Sequence, residues 1–440
     1  MLLEFKTKNY KSFKDELVFS MIPAPKQKGL DYSILTKNIA TKTYKGLSSA
    51  VIYGPNASGK TNIIGAMDTF KNIILRGNIR NGDNKTLPNK AGNNLELIPC
   101  CFSNNNNPVE FAIKFIENDI VFDYTLIIDL GGFLKEEYKR KIISESLTVN
   151  EKLVFSRNTT LHFDDMKVIK SFLINDFDTH IKSAETLAKS NLNDEELFLM
   201  NGFKVMFSSK LVSVITEWLE KKFMIIYKAD SLHITKNIVD HKKKTIYIEK
   251  TINEAAKIFG INSNSLGYII PEDGSDAELY SFFDKINNST VISADDFESY
   301  GTIRFVNIFT LVVDAIKNGA TLVADEFDAS IHPMAIMSIT NLFHNDDINK
   351  KNAQLIFNTH NPIFLNSNLY RRDEIKFVER DDVTHESIHY SLSDFGTSGE
   401  TGVRKSEDYM KNYFVNRYGA IKDVDFTPIF EDTEGNEKEV

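Results

Sequence analysis

Cysteine is almost missing from this 440-residue chain, and the two that occur, Cys100 and Cys101, are neighbours. Adjacent cysteines outside any C-x-x-C spacing argue against a disulfide framework and a zinc site, and leave two small buried hydrophobes. No apolar run reaches the ~18 residues needed to span a bilayer, so no membrane association is expected. Residues 1–6 alternate like a strand and lack the apolar core of a signal peptide, so a cytoplasmic protein is expected. Excess positive charge is missing as well. The net charge of −9 excludes attraction to nucleic acid or anionic membrane over the whole surface, though a local basic groove stays open. There is no internal repeat and no heptad run. What remains, 42% hydrophobic and 26% charged residues, is the make-up of an ordinary globular protein long enough for two or three domains.

Against that background one stretch stands out. Gly54-Pro55-Asn56-Ala57-Ser58-Gly59-Lys60-Thr61 matches G-x-x-x-x-G-K-[ST]. An apolar run, 49–53, precedes it, and a helical pattern (Asn62, Ile63, Ile64, Ala66, Met67, Phe70) follows, which is the strand–loop–helix setting of a phosphate-binding loop. The glycines let consecutive N–H groups turn toward phosphate oxygens, and the helix start adds unpaired donors and a positive dipole end. Lys60 is placed to reach the β/γ-phosphates and the Thr61 hydroxyl to hold Mg²⁺. A nucleoside triphosphate ligand is implied by this loop alone.

Along the rest of the chain, 2–10 and 16–21 read as two strands joined by a turn, and 78–94 as a polar surface loop. Between 95 and 155 four β-rich runs, 109–117, 120–130, 133–143 and 146–155, suggest an antiparallel meander with turns at Asn-Asp, Gly-Gly and Glu-Ser pairs. Helical spacing takes over at 168–177, 195–207 and 210–223, and again at 276–286. Between Lys204 and Phe259 eleven lysines face six carboxylates, with Lys242, Lys243 and Lys244 in a row. That stretch is either a solvated face or a patch for nucleic acid or an acidic partner. Two short apolar strands come next. One, 319–324, ends in Asp325-Glu326, and the other, 354–358, leads to His360. Carboxylates at the end of a buried parallel strand sit where open α/β sheets do their ligand chemistry. An Asp there can hold Mg²⁺ through water, and a neighbouring Glu can polarise an attacking water. His360 is placed to hydrogen-bond the γ-phosphate or that water. A hairpin near 375–392, a helix at 407–417 and an acidic tail from 421 close the chain.

The order phosphate loop, Asp325-Glu326, His360 resembles the ATP-binding-cassette ATPase heads of the SMC/RecF class. The resemblance implies an α/β ABC-ATPase head, a P-loop NTPase with an antiparallel β subdomain, interrupted by a mainly helical insertion. The expected division is 1–160 and 293–420 for the two parts of the head, 161–292 for the insertion, and 421–440 for the tail. It also implies ATP and Mg²⁺ as cofactors, Thr61 and Asp325 as metal-holding residues, and Glu326, with Lys60 and His360, as catalytic. Asp328 would belong to the D-loop. The signature motif that clasps the nucleotide of an opposite subunit would fall at Glu298-Ser299-Tyr300-Gly301-Thr302, with Ser299 and Gly301 as the contacting residues. Tyr300 stands where that motif has a glycine, and its glutamine is absent; no Q-loop glutamine is evident near 99–103. Within the class the chain is similar to stand-alone bacterial AAA-type ATP-binding proteins of abortive-infection and anti-phage systems, through Asn9-Tyr10-Lys11-Ser12-Phe13, Ser391-Leu392-Ser393-Asp394-Phe395 and Arg417-Tyr418-Gly419-Ala420. That likeness implies Asn9, Lys11 and Ser12 near the nucleotide, a homodimer or higher homo-oligomer closed by ATP, and a separately encoded toxin or nuclease as effector. No Toprim cluster or H-N-H arrangement stands after His360. The competing expectation is a RecF-like DNA-binding ATPase.

Overall fold

A computed structural model describes residues 1–25, 27, 29–80, 95–100, 107–131, 140–173, 177–228, 245–247, 250–259, 265–269, 278–283, 290–398 and 402–428. At its centre lies a six-stranded sheet in the order Phe223–Ile226, Thr321–Ala324, Gln354–Asn358, Ser49–Tyr53, Ile375–Arg380, Ser387–Ser391. The first five strands are parallel and the last is antiparallel. Every residue of Ser49–Tyr53, Thr321–Ala324 and Gln354–Asn358 is buried, as expected of a parallel sheet covered on both faces.

Alternation along these strands feeds two separate cores. Ala50, Ile52, Val323 and Ile356 join the cluster around helix Lys60–Arg76, on one face. Val51, Tyr53, Leu322, Ala324, Leu355 and Phe357 join the opposite cluster, with helices Tyr300–Asn318 and Pro333–Phe343. The two-residue period of a strand makes this division automatic. Helix Lys60–Arg76 also carries apolar residues toward a second, antiparallel sheet of seven strands. Its order is Leu161–Phe163, Lys152–Arg157, Lys141–Val149, Ile120–Asp129, Val109–Glu117, Leu2–Lys8, Leu17–Ser20. Phe70 meets Phe5, Phe111 and Tyr124 of that sheet at ring distances of 5.9, 5.5 and 6.0 Å. The phosphate-loop helix is thus clamped between sheets, and its start is held rigidly. The α/β class with an antiparallel β subdomain is what the chain adopts.

Two expectations change in detail. The meander turns at Asn150-Glu151, both at positive φ (48° and 65°), not at Glu145-Ser146, between strands Lys141–Val149 and Lys152–Arg157; most of the run expected at 133–143 lies outside the described residues. Positive φ at both central residues is the two-residue hairpin geometry that matches strand twist. Glu145 instead lies inside its strand, fully buried, accepting from Phe198 N, Leu199 N and the Tyr124 hydroxyl. The other change concerns 161–292. Its described residues are helical where the spacing at 168–177, 195–207 and 210–223 suggests (Met166–Phe172, Leu199–Phe203 with Lys204–Met206, and Ser209–Glu217 with Trp218–Lys222), with a further helix Phe177–Ser190 that the spacing does not indicate, and they carry strands as well. Leu161–Phe163 completes the seven-stranded sheet, and Phe223–Ile226 forms the edge of the parallel sheet. Segment 276–286 contains the strand Glu278–Phe283, in a four-stranded sheet with Thr245–Tyr247, Ser265–Ile269 and Thr290–Ser293. Short apolar runs do not declare their period, and here strand pairing decides it. That small sheet leans on helix Tyr300–Asn318, where the Tyr268 hydroxyl donates to Asn307 Oδ1.

Other expectations fall outside the described residues: Cys101, most of the polar loop 78–94, Lys242 to Lys244, and the tail beyond 428. Cys100 is buried. No helix among the described residues is long and apolar enough to cross a membrane. Since Phe70 fills the space between the two sheets, Phe70→Ala should lower stability by about 3–5 kcal/mol. Denaturant titration checks this, and a midpoint within error of the wild type would contradict the clamped-helix arrangement.

Candidate functional site

The parallel strands end almost level. Ile226 pairs with Ala324, Ala324 with Phe357, and Asn358 with Ile52. The residues that come next therefore emerge along one edge of the sheet, at its carboxyl end. There the loop 54–59 turns into helix Lys60–Arg76. Gly59 has φ 110°, and a Cβ on it would stand 2.7 Å from Ser12 Oγ and 2.8 Å from Ser387 Oγ. Two serines from distant segments thus press against the loop from behind. Ser12 Oγ also accepts from Asn62 Nδ2 (2.8 Å), and the Ser387 hydroxyl donates to the Ser58 carbonyl (2.6 Å).

Residues 56–62 form one wall of a cleft of about 360 Å³, and Glu326, Asn358, His360 and Arg380 complete the lining. Lys60 is 5% exposed, and its ammonium donates to the carbonyls of Gly54 (2.7 Å) and Pro55 (2.9 Å). Burial pushes its pKa down to about 8, against the raising effect of Asp325 and Glu326. The Thr61 hydroxyl donates to Asp325 Oδ1 at 3.0 Å. Asn358 then fixes both acidic residues: its Nδ2 donates to Asp325 Oδ1, and its Oδ1 accepts from the Glu326 N–H. Glu326 itself has φ 48°, a left-handed conformation rarely adopted by a residue with a side chain. His360 is held below its ordinary pKa, chiefly by burial and then by the Lys60 charge, while the three nearby carboxylates Glu326, Asp328 and Asp325 oppose this. Its ring is therefore neutral around pH 7. Oxygen donors from a hydroxyl and a carboxylate, next to a loop of N–H groups and an ammonium, suit a hard cation and an anionic phosphate chain.

Of the residues singled out from sequence, Asn56 to Asn62, Glu326 and His360 line the cleft, and Asp325 stands at its floor through Thr61 and Asn358. Others lie elsewhere. Asp328 is one step back, accepting from the Thr359 hydroxyl at 2.6 Å, with burial raising its pKa. Lys11 does not line the cleft; its ammonium is taken up by Glu96 (2.6 Å) and the Tyr227 hydroxyl (2.9 Å). Burial works to raise the Glu96 carboxyl, but hydrogen bonds from Lys11, Lys228 and Tyr227 prevail and hold it at about 2. Ser299 caps helix Tyr300–Asn318 by accepting from Thr302 N, and neither it nor Gly301 lines this cleft. Two cleft residues are missing from the sequence-based set. Asn358 carries a signal, a polar residue ending an apolar strand; Arg380 carries none, since only the pairing of its strand with Ser49–Tyr53 brings it to the rim, where it donates to the Ala57 carbonyl.

A family described as "AAA domain, putative AbiEii toxin, Type IV TA system" matches residues 49–366. Among solved structures the chain is similar to an Smc head bound to the C-winged helix domain of ScpA, at 13% identity over 90% of this chain and 99% of that one, with a TM-score of 0.39. It is also similar to the SMC head domain from Thermotoga maritima, at 13% identity over 89% and 98%, with a TM-score of 0.38. No curated protein matches.

The environment of Lys60 is open to direct measurement. Its amine should become acylable with a pH midpoint of about 8, below that of exposed lysines, when labelling by an acylating reagent is followed by peptide mass spectrometry. A midpoint above about 10, the ordinary lysine value, would mean the ammonium is not desolvated as described.

Proposed function

The chain belongs to this AAA family, and on that footing we propose that it is an ATPase whose cleft binds ATP with Mg²⁺ and whose assembly follows the nucleotide. The observation that carries the reading is the meeting of Thr61 and Asp325, 264 positions apart, at 3.0 Å beside Glu326 and His360. Lys60 would exchange two loop carbonyls for β- and γ-phosphate oxygens, regaining the charge that burial disfavours. Thr61 and, through water, Asp325 would hold Mg²⁺, whose role when bound is to offset charge on the β- and γ-oxygens. Glu326 would polarise the attacking water, and neutral His360 would donate a hydrogen bond to the γ-phosphate.

Ser299 and Gly301 stand away from their own cleft, which supports their serving the nucleotide of a second copy. Two copies would then sandwich two nucleotides, with ATP closing the pair and hydrolysis loosening it. The four-stranded sheet, which touches helix Tyr300–Asn318 through Tyr268 and Asn307, would report that change. The family description names a putative toxin and a Type IV TA system, which supports a place in a toxin system; phage defence with a separately encoded effector is the finer part of the proposal. For the competing reading, DNA binding through the stretch between Lys204 and Phe259, Lys242 to Lys244 lie outside the described residues.

Three variants test the proposal by light scattering and steady-state hydrolysis. Lys60→Ala should lose ATP binding. Glu326→Gln should keep binding, lose at least about 100-fold in turnover, and run as a dimer with Mg·ATP. Ser299→Arg should bind ATP as a monomer. A Glu326→Gln protein that stays monomeric with Mg·ATP defeats the sandwich, and a wild type without turnover leaves an ATP-binding scaffold.

A further inference from the structure

The helix that begins at Tyr300 is fastened to the segment after Glu326 at two points. Gly301 approaches so closely that a Cβ on it would stand 2.4 Å from the Ser330 carbonyl oxygen, with Ser330 itself at φ 60°. Three residues further along, Arg304 donates from Nη2 to the Glu326 carbonyl at 2.6 Å. From the other side Asn358 Oδ1 accepts from the Glu326 N–H. Both backbone polar groups of Glu326 are therefore engaged by side chains, one from a helix and one from a strand end, and its carbonyl accepts in addition from the Ala329 N–H (3.1 Å) of its own turn, at a left-handed φ.

Packing alone does not call for a guanidinium here. Arg304 is 4% exposed, and its Nε is buried without a partner. A buried charge that is incompletely hydrogen-bonded is costly, and a methionine of similar length would fill the same space without that cost. The compensating interactions are the Glu326 carbonyl and the charge of Asp328, whose pKa Arg304 helps to lower against the effect of burial.

We infer that Arg304 is a positioning residue for Glu326: it fixes the peptide that aims the Glu326 side chain into the cleft and ties that aim to the helix turn carrying Ser299 and Gly301. A shift of this first turn, such as a ligand at Ser299 and Gly301 would produce, is then felt at the carboxylate of the same chain. The inference rests on the reading that Glu326 acts on the ligand of the cleft, but the backbone restraint can be tested without it.

The test uses the full chain with Arg304→Met and Arg304→Lys, reading three quantities: affinity for a fluorescent ATP analogue with Mg²⁺, single-turnover hydrolysis, and hydrogen exchange of the peptide spanning 325–331. Arg304→Met should bind within about threefold of wild type, hydrolyse about 10–100-fold more slowly because the base is misaimed, and exchange faster across 325–331. Arg304→Lys, keeping the charge and a donor, should recover part of both losses. Wild-type turnover and exchange in Arg304→Met would overturn the inference. If the wild type itself does not hydrolyse ATP, the ATPase reading fails alone, and exchange decides: faster exchange upholds the restraint, unchanged exchange removes it. Should Arg304→Met fail to fold, Arg304→Lys is read by itself, where slower turnover at unchanged affinity supports the positioning role and wild-type turnover with wild-type exchange overturns it.

Discussion

The site depends on the register of four parallel strands. Ser49–Tyr53, Gln354–Asn358, Thr321–Ala324 and Phe223–Ile226 are paired so that their ends lie level, and the residues after them have only one edge on which to emerge. The three central strands feed alternate residues to two different cores, so a slip by one position would exchange the contents of both. The register is thus enforced by apolar packing far from any charge, and the charged cleft inherits its precision from that packing. Helix Lys60–Arg76 adds the second restraint, because it is gripped by the antiparallel sheet as firmly as by the parallel one.

Charge is arranged in two tiers around this edge. In front, Lys60 faces Asp325 and Glu326 in a site that withholds water from the ammonium, a cost that an anionic ligand against Lys60 would offset. Behind it, Lys11, Glu96, Tyr227 and Lys228 form a closed network joining the first antiparallel hairpin to the end of strand Phe223–Ile226. That network gives Lys11 a task in holding the two sheets together. Asn358 belongs to the front tier, and it is the residue through which the positions of Asp325 and Glu326 become one quantity rather than two.

Much of this architecture is legible in the amino-acid sequence by itself. The loop 54–61 announces itself through glycine placement and its flanks, and Asp325-Glu326 and His360 stand out as polar residues just after short, mostly apolar strands. The strands Leu2–Lys8, Val109–Glu117 and Gln354–Asn358 alternate or bury themselves so consistently that their type can be read directly. What fails to declare itself is contact without periodicity. Phe223–Ile226 is four residues at the end of a helical pattern, and Glu278–Phe283 has an apolar spacing that suits a helix as well as a strand; pairing partners decide both. Glu145 resembles a turn residue because a carboxylate in a central strand is costly, and the N–H groups of Phe198 and Leu199, half a hundred residues on, with the Tyr124 hydroxyl and Arg157, make it tolerable. Arg304 and Arg380 carry no local pattern at all. Their roles exist only where a helix meets the turn at Glu326 and where strand Ile375–Arg380 meets the phosphate loop.

The central claim is that one cleft gathers a triphosphate and its metal from the two ends of this chain. A crystal structure with Mg²⁺ and a non-hydrolysable ATP analogue tests it most directly. The account predicts the β- and γ-phosphates under the loop within hydrogen-bond reach of Lys60, Mg²⁺ beside Thr61 and Asp325, and Glu326 and His360 facing the γ-phosphate. A nucleotide bound away from Lys60, or a metal held without Thr61 and Asp325, would contradict it.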